Sequence, residues 1–129
     1  MESAHAPKEA VIKFIFTLCW SNEYLSDPVR FRQLVQAGFF PMSYEGYKNQ
    51  SHAMLNFDSS PWVHKITCPV LIVAGDEDLL ADVSDAEMMH NAIRKTEFYC
   101  FKKVGHIAFM ERQEAFNTLI MNFISSVGN

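Results

Sequence analysis

Pro69-Val70-Leu71-Ile72-Val73-Ala74-Gly75-Asp76-Glu77-Asp78 is the stretch on which the fold turns. Its first six residues are an unbroken apolar run that lacks the alternation of a strand with one wet face. That pattern predicts a parallel strand covered on both faces. Gly75-Asp76-Glu77-Asp78 then ends the run in a turn. Beyond it, Ser84-Asp85-Ala86-Glu87 has the Ser-x-x-Glu form of a capping box, and Ala86, Met89 and Ile93 recur on one face of the helix this predicts. Phe98 to Phe101 reads as a second strand, with Glu97 to Lys102 as its outer limits, and a loop ending in Gly105-His106 follows. Phe109, Phe116, Ile120, Phe123 and Val127 stripe a last helix. Strand, helix, strand and helix in this order predict a parallel βαβα unit with a right-handed crossover.

Before Ser59-Ser60-Pro61 the pattern is helical. Val11, Ile12, Ile15, Phe16, Leu18 and Cys19 form one stripe with Trp20 at its end. Asp27-Pro28 reads as an N-cap with proline in the first helical position, Leu34 and Val35 continue that helix, and Gly38 closes it. A third helix is expected between Tyr44 and Phe57. The chain therefore divides into a helical segment, residues 1–60, and a βαβα segment, residues 61–129.

The second segment resembles the α/β-hydrolase family. In that family the last two strands of the sheet read as an apolar strand ending Gly-x-x-Asp, a helix, a strand, a loop ending Gly-His and a closing helix. Here Pro69 to Gly75, Asp78, Glu97 to Lys102, Gly105-His106 and the run from Ile107 to Asn117 take those places. The resemblance extends from about Trp62 to Ile124 and implies an α/β fold: the C-terminal part of a hydrolase core preceded by a helical lid, with an incomplete sheet. It also implies that Asp78 and His106 are the acid and base of a catalytic triad, and it selects Asp78 over the rival Asp76. The family's nucleophile elbow, Gly-x-Ser-x-Gly, occurs nowhere in the 129 residues. Met42-Ser43-Tyr44-Glu45-Gly46 comes nearest, with its glycine one place too late and none before the serine. Since the family orders its triad serine, acid, histidine, the nucleophile is expected upstream of Met1. Many relatives carry proline in the loop after the acid; its absence from Leu79-Leu80-Ala81-Asp82-Val83 predicts a looser loop.

The chemistry suited to these residues is acyl transfer to water. A neutral imidazole at His106 can take a hydroxyl proton and return it to the leaving group. A carboxylate at Asp78 would hold the ring's tautomer and stabilise the imidazolium that forms. Adjacent parallel strands end on one sheet edge, which would bring the two loops together. The resulting expectation is a serine-type hydrolase portion acting on a small or medium ester, lactone or related carbonyl substrate, inactive without its nucleophile and oxyanion hole. Taken singly, Asp78 also reads as a turn residue and His106 as a satisfied loop histidine. The alternative function is a non-catalytic module that dimerises or recruits a partner through an exposed strand edge. Two parallel strands are too few to be stable alone, so a homodimer or an N-terminal hydrolase portion is expected to cover that edge.

Composition bounds these readings. With 49% hydrophobic and 20% charged residues, the chain has ordinary globular character. A net charge of −4 without a dense basic run argues against nucleic acid and anionic membrane surfaces. No signal peptide or membrane span is evident, so a cytoplasmic protein is expected. The three cysteines, Cys19, Cys68 and Cys100, are expected to be buried thiols, not a disulfide framework. The acidic cluster Asp76, Glu77, Asp78, Asp82 and Asp85 fails the EF-hand pattern at Leu80 and Ala81. Neither a metal nor a cofactor is expected. His5, His52, His64 and His90 lack ligand spacing. The aromatics Phe14, Phe16, Trp20, Phe31, Phe39, Phe40, Tyr44 and Tyr47 invite a pocket-wall reading, although aromatic residues at helical spacing more often form core.

Overall fold

The computed structural model describes residues 8–37 and 43–128. Gly38, Phe39, Phe40, Met42 and His5 lie outside the described residues. Four helices come first: α1 (Lys8–Cys19), α2 (Asn22–Ser26), α3 (Pro28–Ala37) and α4 (Tyr44–Leu55). After a 3-10 turn at Val63–Lys65 the chain continues as β1 (Val70–Gly75), α5 (Val83–Ala92), β2 (Thr96–Phe101), α6 (Ala108–Glu111) and α7 (Gln113–Val127).

Side-chain caps set several of the helix starts. Asp27 Oδ1 accepts from the N–H groups of Val29 (2.8 Å) and Arg30 (3.2 Å), as its place before Pro28 predicts. Ser43 caps α4 by accepting from Gly46 N–H at 3.0 Å. The expected capping box at Ser84 and Glu87 does not form. Asp82 is the N-cap of α5 instead, accepting from Ser84 N–H at 2.7 Å, because the extended backbone of Asp82 starts the helix one residue before the serine. The continuous closing helix expected after His106 is also corrected. Arg112, with φ −132° and ψ 47°, leaves helical geometry and separates α6 from α7.

β1 and β2 pair in parallel, from Val70 opposite Thr96 to Gly75 opposite Phe101, so both strands end at one sheet edge. Phe101, Val104 and Ala108 form the buried cluster there, packed by Val73, Phe116 and Leu119. Phe101 and Phe116 stack with ring centroids 6.5 Å apart. A second cluster centres on Phe16, which is 2% exposed and meets Trp20 and Phe31 edge to face at 5.3 and 6.0 Å. Phe16 is core, with Trp20 and Phe31 partly buried against it. Phe14, Tyr44 and Tyr47 stay exposed. β1 is half-buried from Val70 to Ala74 rather than sealed on both faces, because β2 is its one strand neighbour among the described residues. Among the described residues, no helix is long and apolar enough to cross a membrane.

Candidate functional site

The loops after β1 and β2 lie against one another along their backbones. A Cβ on Gly75 would sit 2.3 Å from the Val104 carbonyl oxygen and 2.4 Å from that of Gly105. Only glycine permits that approach. Across the contact, Asp76 N–H donates to Phe101 O (3.0 Å) and Glu77 N–H to Val104 O (2.9 Å). Asp76 Oδ1 accepts from Lys103 N–H at 2.6 Å, where Lys103 takes a positive φ of 55°. The Asp76 carboxylate thus holds the turn after β2, with Lys102 Nζ 3.6 Å from its other oxygen. It does not reach the histidine.

Asp78 does. Its Oδ1 accepts from the N–H groups of Leu80 (2.8 Å) and Ala81 (3.0 Å), an Asx turn that holds the proline-free loop by side chain instead of ring. This fixes the carboxyl plane and leaves Oδ2 facing His106 Nδ1 at 2.8 Å. The Asp78 side chain is 7% exposed and the His106 side chain 43%. Among the described residues, His106 Nε2 has no hydrogen-bond partner. A carboxylate accepting from Nδ1–H makes the neutral ring carry its lone pair on Nε2, the arrangement of a general base.

The histidine loop is pinned on both sides of its side chain. Ile107 N–H donates to Cys19 O at 3.2 Å, and Gly105 N–H to Glu111 Oε1 at 3.0 Å. A cavity of about 250 Å³ opens beside the pair, bounded by Ile72, Ala74, Met89 and Ala108 as well as by Asp78 and His106. Cys19 lies near enough that its thiol pKa is raised, first by burial and second by the negative charge of Asp78.

Three of the remaining polar candidates have structural partners. Glu77 accepts from Asn22 N–H at 3.0 Å, Asp82 caps α5, and Ser43 caps α4. The His90 ring stacks on Phe98 at 5.8 Å. Cys68 is exposed, and Cys19 and Cys100 are partly buried, so the expectation of three buried thiols is corrected at Cys68. Sequence reasoning missed Glu111, which is 6% exposed, and Ser21, which is 1% exposed. The available signal was a glutamate closing the apolar run Ile107 to Met110.

No family model matches the chain. Curated relatives do. A poly(3-hydroxyalkanoate) depolymerase of Ectopseudomonas oleovorans is 33% identical over 79 residues, spanning 61% of this chain and 28% of that protein. A 3-oxoadipate enol-lactonase of Acinetobacter baylyi is 28% identical over 83 residues, spanning 64% of this chain and 31% of that protein. Among solved structures, Rv0554 of Mycobacterium tuberculosis superposes with a TM-score of 0.84 at 22% identity, over 97% of this chain and 46% of that one. The chain has the α/β-hydrolase fold. It spans less than half the length of these α/β-hydrolase relatives.

Proposed function

We propose that the chain supplies the acid and histidine of a serine-type α/β hydrolase that cleaves a small or medium ester, lactone or related carbonyl substrate. The observation that carries this is the 2.8 Å contact between Asp78 Oδ2 and His106 Nδ1, made by a shielded carboxylate and a histidine whose second nitrogen has no partner among the described residues. The depolymerase and lactonase named above support the substrate class. His106 acts as general base toward the nucleophile and then as general acid toward the leaving group, while Asp78 holds the Nδ1–H tautomer and stabilises the imidazolium. The nucleophile and oxyanion hole come from polypeptide outside these 129 residues, and helices α1 to α4 are the lid over the completed site. That polypeptide also covers the second edge of β1, so the chain alone is inactive and does not persist as a monomer.

A fluorophosphonate probe tests the reading. The isolated chain stays unlabelled, whereas its complex with a polypeptide bearing the Gly-x-Ser-x-Gly turn is labelled on that serine. Asp78→Asn in the complex lowers ester turnover by about 10⁴-fold, the scale of losing the orienting carboxylate in a triad. If the complex resists the probe and His106→Ala leaves turnover unchanged, the hydrolase reading is wrong and the assembly module takes its place.

A further inference from the structure

Among the described residues, Glu111 is the one buried charged side chain outside the acid–histidine pair, and the Proposed function leaves it without a role. Burying a carboxylate is costly unless its oxygens are met by donors. Here three donors converge on it: Ser21 N–H at 3.0 Å and Gly105 N–H at 3.0 Å on Oε1, and the Ser21 hydroxyl on Oε2. Two of those donors come from the junction between α1 and α2, ninety residues away, and the third from the residue immediately before His106. Charge-assisted bonds of this kind are about twice as strong as neutral ones.

The surrounding backbone is shaped to let one carboxylate reach both segments. A Cβ on Gly105 would lie 2.7 Å from Cys19 O, 2.8 Å from Trp20 C and 2.9 Å from Ser21 N. Residue 105 therefore has no room for a side chain, and its N–H and that of Ser21 meet the same oxygen. Ser21 is held in turn, because its hydroxyl oxygen accepts from Tyr24 N–H at 3.2 Å while capping α2. Next to Ser21, Asn22 N–H donates to Glu77, the neighbour of Asp78. The α1–α2 junction thus touches both loops of the acid–histidine pair, each through a glutamate.

We propose that Glu111 is a positioning residue: its carboxylate clamps Gly105 to Ser21 and so holds the His106 ring in register with Asp78. It touches neither the ring nor a substrate and acts through the backbone of residue 105. This rests on the Asp78–His106 pairing of the Proposed function and extends it to the helical segment. Any displacement of the α1–α2 junction is carried through Glu111 to His106.

The test reads the tautomer of His106 by ¹⁵N NMR of the full 129-residue chain, at a pH where imidazole is neutral. Free imidazole favours Nε2–H, whereas pairing with Asp78 selects Nδ1–H. Wild type is expected to be mostly Nδ1–H. Glu111→Ala is expected to cut that fraction by about twofold or more, as loss of an orienting neighbour does. Glu111→Gln keeps the length and one acceptor oxygen and restores most of it. Far-UV circular dichroism confirms that each variant is folded. Should Glu111→Ala not fold, Ser21→Ala, which removes one of three donors, decides: a partial drop supports the clamp and an unchanged tautomer overturns it. A folded Glu111→Ala with the wild-type tautomer overturns it as well. A wild-type ring without excess Nδ1–H fails at the pairing itself, which sinks the acid–histidine reading and the clamp together, whereas the other negative results sink the clamp alone.

Discussion

The two loops at the C-terminal edge of the sheet and the helices α4 and α7 are packed in opposite ways. Loops usually run over the surface and helices bury a stripe. Here Val104 and Gly105 are buried in the loop after β2, and Gly75 at the end of β1 where the other loop begins, while neither α4 nor α7 contains a buried residue. Tyr44, Met54 and Leu55 of α4 and Met121 and Ile124 of α7 are each more than half exposed. The loops are interlocked by backbone contacts that two glycines permit and by carboxylates that take up the N–H groups. The helices present apolar side chains that no described residue covers. Order is therefore concentrated where Asp78 and His106 meet, and the uncovered apolar surface is concentrated on the helices.

That contrast can be broken by substitution. The largest expected loss is for Phe101→Ala beneath the loops, at about 3–5 kcal/mol from removing a buried aromatic. Urea unfolding measures it, and a loss below that of an exposed aromatic would erase the contrast. Gly105→Ala comes next, at about 1–3 kcal/mol, because the new methyl meets backbone and not a flexible side-chain tip. The same measurement detects it, together with weakened protection of the Ser21 amide in hydrogen exchange.

A smaller effect separates the loop edge by pH. The Asp82 pKa is lowered by its side-chain hydrogen bond with Ser84 and then by the backbone bond there. A folded pKa below the unfolded one means that this stabilisation is present above the ordinary carboxylate value of 3.8 and is lost as pH falls through the folded value. The thermal midpoint of wild type should accordingly exceed that of Asp82→Asn near neutrality and converge with it in acid. A gap that persists in strong acid would remove the carboxylate's charge from the account. The smallest effect is expected for Tyr44→Ala on α4, within about 0.5 kcal/mol. A larger cost in the isolated chain would show that α4 is already covered, by a second copy or by residues outside those described.

Much of the loop edge was readable in advance. The apolar run from Pro69 to Ala74 identified β1, and Gly-x-x-Asp with Gly-His picked out Asp78 and His106, because strand ends and tight turns leave local signatures. The start of α5 was misassigned because Asp82 and Ser84 are both competent caps, and local sequence does not say which one turns extended. The break at Arg112 was missed for a related reason: an unbroken apolar stripe carries no record of a single backbone excursion.

The chain's sequence by itself determined the strand–helix–strand order, the parallel strand pair and the choice of Asp78 and His106 as the candidate pair, all properties of short segments and of element order. Only the tertiary structure decided that Asp76 turns to Lys103 while Asp78 faces His106, that Gly75 and Gly105 are spacers between touching backbones, and that Glu111 joins residues ninety positions apart. Those facts depend on distances across the fold, and no pattern along the chain encodes a distance until the backbone has closed.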